Sequence, residues 1–175
     1  MTITAIDATG VRDIDGYGEL FARTHVRLVR LAFLLCGDQR RAEDAVADAF
    51  ARVYPRWRRG GLDDADAYLR RAVVNQLRSG WRRLLVERRH AAKAGGDDRG
   101  QVVHADQSAD HAALLDALTQ LTARQRTAIV LRFYEDMKEA DVADAMGVPL
   151  GTVKSSVSRG LDRLRELLGE EGELS

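Results

Sequence analysis

Apolar residues in this chain recur at every third or fourth position over two long stretches, and nowhere do they alternate as a half-buried strand requires. That period commits both stretches to amphipathic helices and the fold to the all-α class. Between residues 91 and 111 the stripe disappears and Gly95, Gly96 and Gly100 are scattered among polar side chains, which predicts a flexible linker. The expected organisation is an N-terminal extension over 1–16, a helical domain over 17–90, the linker over 91–111, a second helical domain over 112–168 and an acidic tail over 169–175.

In the first domain Leu20, Phe21, Leu28, Leu31, Ala32 and Leu35 form one stripe, closed at Gly37, which suits a helix C-cap. The next helix should start near Arg40 and bury Ala42, Val46, Ala49, Phe50, Val53 and Trp57, leaving Asp44, Asp48 and Arg52 on the opposite face. Pro55 removes a backbone donor and is expected to end or kink it. Residues 58–64 then read as a loop, and a third helix from about Ala65 buries Leu69, Val73, Leu77 and Leu84. At about 100° per residue, Arg71, Asn75, Arg78 and Arg82 fall within about 60° of one another on its outer side.

The second domain carries a capping-box spacing at Thr122–Gln125, with Ile129, Val130 and Phe133 continuing its apolar face. From Lys138 to Leu164 the pattern is that of a helix-turn-helix: a short helix with Val142, Ala143 and Met146, a turn at Gly147-Val-Pro149, and a helix burying Val153, Val157, Leu161 and Leu164. Pro149 is expected at its first position. Thr152, Ser155, Ser156, Ser158 and Arg159 are expected away from the apolar stripe, with Lys154 at its rim. Small hydroxyl side chains at a helix N-terminus, flanked by two cations, suit a phosphate backbone.

The net charge is zero, which by itself argues against a nucleic-acid partner. The average conceals a division. Residues 1–90 hold 17 basic and 12 acidic side chains, and nine arginines face three aspartates between Arg52 and Arg83, interleaved with Tyr54, Trp57, Tyr68 and Trp81. Arginine beside aromatic rings suits unpaired strands, where guanidinium groups hold phosphates and rings stack on bases.

Other classes find little support. No apolar run approaches the roughly 18 to 20 residues that span a bilayer, so no membrane insertion and a cytoplasmic location are expected. Cys36 alone can build neither an internal disulfide nor a cysteine-rich zinc site, and reads as a buried thiol rather than a redox sensor. His25, His90, His104 and His111 have no ligand spacing. Gly60-Gly61 and Gly95-Gly96 lack the strand-to-helix context of a phosphate loop. No catalytic residue, metal or cofactor is expected, and the chain does not read as an enzyme.

Ala42-Glu-Asp-Ala-Val-Ala-Asp-Ala-Phe50, followed by Tyr68-Leu-Arg-Arg-Ala-Val-Val-Asn-Gln-Leu-Arg-Ser-Gly-Trp-Arg-Arg83, resembles the second conserved region of extracytoplasmic-function sigma factors. Leu121-Thr-Ala-Arg-Gln-Arg-Thr-Ala-Ile-Val-Leu-Arg-Phe-Tyr-Glu-Asp136, with Gly151-Thr-Val-Lys-Ser155 and Ser158-Arg159, resembles their fourth. The resemblance runs from about Tyr17 to Leu168, and the two halves in this order are more specific than either alone.

It implies an alternative sigma factor with core RNA polymerase and promoter DNA as partners. The minus-ten element would be read by Arg58, Arg59, Arg71, Asn75, Arg78, Trp81, Arg82 and Arg83, and the minus-thirty-five element by Thr152, Lys154, Ser155, Ser156, Ser158 and Arg159. Asp44, Asp48 and Arg52 would meet the largest-subunit clamp, and Leu131, Phe133 and Tyr134 the second-largest-subunit flap. Phe50 and Val53 are weighted as core. An anti-sigma factor is a common partner in such families, although no residue of this chain points to one.

Two departures limit the transfer. Ala47-Asp48-Ala49-Phe50 stands where Gln-Glu-Thr-Phe is common, and Ser156 where many relatives have arginine. The rival reading is a self-standing repressor or activator using the helix-turn-helix, which leaves the Arg71/Asn75/Arg78/Arg82 stripe without a task. A third is a regulator that binds polymerase without touching the promoter. Whether the free chain closes on itself stays open at this level.

Overall fold

In the computed structural model the chain is described over residues 14–91 and 109–172, with side chains over 14–78 and 112–169. Among the described residues there are seven α-helices, one π-helical turn and no strand, as the periodicity requires. The first three helices are α1 (Ile14–Cys36), α2 (Gln39–Arg58) and α3 (Ala65–Ala91). The C-terminal half has α4 (Ala109–Gln120), α5 (Ala123–Ile129), the π-turn Val130–Tyr134, α6 (Glu139–Met146) and α7 (Leu150–Gly172). Each outer helix overruns its expected limit: α1 starts before Tyr17, α4 before Ala112, and α7 continues past Leu168. Once a helix is nucleated, added residues cost little, so a polar composition at its ends does not stop it. Leu84 and residues 173–175 lie outside the described side chains.

Local chemistry sets the junctions. Gly37 has φ +72°, a left-handed conformation that a side chain would disfavour, and its N–H returns to Phe33 O at 2.7 Å to close α1. Asp38 then caps α2, its carboxylate accepting from Arg41 N–H at 2.8 Å. All six expected core residues of α2 are buried, with Ala45 added. Pro55, expected to end or kink α2, does not end it. The helix runs through it to Arg58, because Pro55 itself faces solvent while Trp57, 3% exposed, anchors the last turn in the core. Phe21 also departs from the stripe assigned to it: it is 43% exposed and stacks on His25 with ring centroids 4.4 Å apart.

In the C-terminal half the Thr122–Gln125 capping box is formed reciprocally. Gly147 takes a left-handed C-cap with φ +61°. The next helix begins one residue later than expected. Pro149 stands before α7, and its carbonyl accepts the first helical bonds from Thr152 and Val153 N–H at 2.9 and 3.3 Å.

The two halves share one core. Leu28, Leu31, Val46, Val53, Leu69 and Val73 belong to the same buried cluster as Leu131, Val142, Met146 and Val153. A smaller cluster of Ala117, Leu118, Leu121, Ile129, Leu164 and Leu167 fastens α4, α5 and α7 to each other. Polar groups cross the same boundary. Arg126 is buried, and its guanidinium donates to Leu35 O at the end of α1 (3.1 Å) and to Thr119 O at the end of α4 (2.6 Å). A cation among helix C-terminal carbonyls is favoured by their aligned dipoles. Burial nevertheless pulls the Arg126 pKa down to about 10.

Candidate nucleic-acid interface

The basic segment is carried by α3 and by the end of α2. Arg71 and Asn75 lie exposed on one side of α3, one helical turn apart. Arg78, the next member of the stripe, is turned inward: its NH1 donates to Met146 O, the carbonyl that ends α6. Arg58 and Arg59 are exposed where α2 gives way to the loop, and Arg59 Nε donates back to Pro55 O at 3.0 Å. The side chains of Trp81, Arg82 and Arg83 lie outside the described residues. Beside this stripe the Arg56 guanidinium stands 5.3 Å from the Tyr68 ring centroid, and both side chains are exposed. That cation–π pair joins α2 to α3 next to the basic stripe, and Arg56 was absent from the residues assigned on sequence.

A second polar face belongs to the N-terminal part of α7. Lys154, Ser158 and Arg159 are exposed there, and Thr152 and Ser155 are half-buried. Ser156 is not on this face. It is 7% exposed, and its hydroxyl donates to Thr152 O at 2.6 Å. A serine satisfied by the carbonyl one turn back no longer needs solvent, so it can sit beside Val153 and Val157 in the packed side of the helix.

The residues assigned to polymerase contact divide in the same way. Asp44, Asp48 and Arg52 project from the outer face of α2, with Arg52 3.8 Å from Asp48, which also accepts from Gln76 Nε2 at 2.8 Å. Phe133 and Tyr134 are 55% and 43% exposed, whereas Leu131 has no accessible surface and belongs to the shared core. The π-turn explains this split. Glu135 N–H reaches Val130 O at 3.2 Å, an i+5 bond that inserts one residue into the helical repeat. The apolar face therefore ends at Leu131, and Phe133, expected to continue it, points outward.

A group of charges escaped the sequence reading altogether. Glu135, from the C-terminal half, has a side chain only 2% exposed and is held by Arg27 of α1 and Arg70 of α3. Arg70 Nε lies 2.7 Å from Glu135 Oε2 without pointing its hydrogen at that oxygen, so this contact is an ion pair rather than a directed hydrogen bond. Asp66 completes the group, 2.6 Å from Arg27 and 3.3 Å from Arg70. The pairing joins positions up to 108 apart in the chain, and no local pattern announces it. Elsewhere, Cys36, expected as a buried thiol, is half-buried, and burial pushes its thiol pKa up. No metal-binding cluster occurs among the described residues, and no helix among them is long and apolar enough to cross a membrane.

Comparison with known proteins agrees with this arrangement. Residues 20–85 match the family model of sigma-70 region 2, and residues 111–164 match that of sigma-70 region 4. The RNA polymerase sigma-E factor of Streptomyces avermitilis is 40% identical over 147 residues, covering 81% of this chain and 78% of the relative. The ECF RNA polymerase sigma factor SigE of Mycolicibacterium smegmatis is 31% identical, covering 97% and 68%. Among solved structures, the sigma factor RpoE of Bartonella quintana, in complex with the anti-sigma factor NepR, superposes with a TM-score of 0.74 at 26% identity, over 89% of this chain and 98% of that one. The chain thus belongs to the sigma-70 family as an extracytoplasmic-function sigma factor with region 2 and region 4, a non-enzymatic subunit that directs RNA polymerase to promoters for transcription initiation.

Proposed function

We propose that the two exposed polar faces divide promoter recognition between them. Arg71 and Asn75 of α3, with Arg58, Arg59, Arg78, Trp81, Arg82 and Arg83, take the separated strand of the minus-ten element. Thr152, Lys154, Ser155, Ser158 and Arg159 of α7 take the minus-thirty-five duplex. The observation that carries this reading is the pairing of an exposed Arg71/Asn75 ridge beside the Arg56–Tyr68 stack with an exposed Lys154/Ser158/Arg159 ridge at the start of a helix. The first offers guanidinium groups and a ring to unpaired bases, and the second offers short side chains and cations to a duplex backbone.

Core polymerase is held, in this reading, through Asp44, Asp48 and Arg52 on the largest-subunit clamp and through Phe133 and Tyr134 on the second-largest-subunit flap. Leu131 supports that contact from within the core. The complex of the Bartonella quintana relative with NepR supports an anti-sigma factor as a further partner. The groove of about 890 Å³ between the halves, lined by Val26, Val29, Leu114, Leu115, Phe133 and Leu161, offers it an apolar seat.

The test is transcription by the reconstituted holoenzyme on intact and on premelted promoter templates. Arg71→Ala with Asn75→Ala is expected to lower run-off product at least tenfold on the intact template, with recovery on the premelted one and unchanged assembly with core polymerase. Equal loss on both templates, or loss of assembly, overturns the assignment of the α3 ridge.

A further inference from the structure

Asp48, assigned above to the largest-subunit clamp, gets little help from its own helix. Its neighbours one turn away on α2 are Asp44, Ala45, Ala51 and Arg52, which offer a like charge, two methyl groups and one cation. That cation stands 3.8 Å off, beyond hydrogen-bond distance, and both side chains are more than half exposed. An exposed pair of this kind contributes little and fixes no rotamer. The directed bond comes from a different helix. Gln76 of α3 is half-buried, and its Nε2 donates to Asp48 Oδ2 at 2.8 Å, across 28 positions of the chain.

The geometry of this bond suits a docking contact. Arg52 and Gln76 both approach Oδ2, which leaves Oδ1 to accept from a donor on another molecule. An amide carries no charge, so it orients the carboxylate without cancelling the negative charge that attracts such a donor. Gln76 also follows Asn75 directly in the chain, on the helix that carries the promoter-reading stripe. The bond therefore ties the clamp-facing side of α2 to α3.

We infer that Gln76 is a positioning residue for holoenzyme assembly: its side-chain amide holds the Asp48 carboxylate in the orientation that meets the clamp. This inference rests on the assignment of Asp48 to the clamp. A side chain ordered before binding no longer incurs that ordering cost at the interface, and the cost corresponds to about two- to tenfold in affinity for one such side chain. Loss of the amide weakens docking by about that factor and leaves the action of the docked protein on DNA unchanged.

The experiment measures the affinity of the full-length protein for purified core polymerase by fluorescence anisotropy, and run-off transcription at saturating core. The variants are Gln76→Ala, Gln76→Glu, Asp48→Ala and the double alanine variant, with helix content checked by circular dichroism. Gln76→Ala is expected to raise Kd about two- to tenfold, with run-off product equal to the parent once core is saturating. Gln76→Glu keeps the size and shape of the side chain but sets a second carboxylate against Asp48, so its loss should be at least as large. A packing role for Gln76 demands the reverse, a harmless Gln76→Glu. In the Asp48→Ala background Gln76→Ala should cost nothing further, because its effect passes through that carboxylate.

If Gln76→Ala loses helix content, the isosteric Gln76→Glu decides. Core affinity within twofold of the parent for the folded Gln76 variants, alongside a clear loss for Asp48→Ala, overturns the positioning role and leaves the clamp assignment standing. Unchanged affinity for Asp48→Ala overturns the clamp assignment itself. Additive losses in the double variant, or a transcription defect that persists at saturating core, also overturn the inference, since Gln76 would then act by another route.

Discussion

Gly160 packs α7 directly against α5, and replacing it by alanine gives a sharp test of that packing. A Cβ at this position would stand 2.6 Å from Ile129 Cδ1, 3.2 Å from Gln125 Cβ and 3.4 Å from Ile129 Cγ1. Ile129 is buried at 6% exposure, and Gln125 is held by its capping box with Thr122, so admitting the Cβ requires Ile129 to turn or α7 to shift. In a free helix interior, Gly→Ala stabilises by about 1 kcal/mol. Overpacking costs about 1–3 kcal/mol and cancels or exceeds that gain.

Gly151, in the same helix, provides the internal control, since a Cβ there meets nothing within 4 Å. Gly151→Ala, in the first turn of the helix, should therefore show part of that gain, and Gly160→Ala should leave the protein about 0–2 kcal/mol less stable than the parent. In thermal unfolding followed by circular dichroism the two variants should move in opposite directions, at about 2–4 °C per kcal/mol for a chain of this size. Adding Ile129→Val removes the clashing Cδ1, so the double variant should be more stable than the sum of the two single changes. If Gly160→Ala raises the melting temperature as much as Gly151→Ala does, α7 is not packed on α5 in this register, and the orientation of its exposed ridge would have to be redrawn.

Other consequences are simpler. Thr122→Ala opens the capping box and should cost about 1 kcal/mol in urea unfolding, because the Gln125 N–H loses its hydroxyl acceptor while the backbone N–H of residue 122 keeps the Gln125 side chain. Burial raises the Cys36 pKa above its ordinary 9.0, so the thiol is protonated at neutral pH. Alkylation by iodoacetamide should be slow there, accelerate only well into the alkaline range, and become fast in denaturant. Rapid labelling of the folded protein at neutral pH would contradict the burial. Lys154→Ala and Arg159→Ala should each lower the slope of log affinity against log salt by about 1 for duplex minus-thirty-five DNA bound by the holoenzyme, without changing which sequence is preferred.

What the sequence made legible was local. The core face of α2 follows from spacing, because six of its seven buried residues lie on the helical period and the glycine that closes α1 stands just before it in the chain. The same holds for the capping box at Thr122 and the turn at Gly147. Errors arose where a residue had a second way to be satisfied. Ser156 was placed on the DNA-facing side because it is polar, but a hydroxyl can bond its own helix and be buried. Phe21 was placed in the core because it is apolar, but stacking on His25 leaves it half in water. Leu131 and Phe133 were both read as flap contacts, and the inserted residue of the π-turn separates them. The Arg27–Asp66–Arg70–Glu135 group was invisible for a different reason: periodicity describes one helix at a time, and these charges meet only after three elements have packed.

A sigma factor makes RNA polymerase start where it otherwise does not. The most direct measurement is run-off transcription by purified core polymerase on genomic fragments, with and without this protein. New, defined start sites are expected only when the protein is present. Starts that are merely blocked or boosted at positions core polymerase already uses would contradict that expectation.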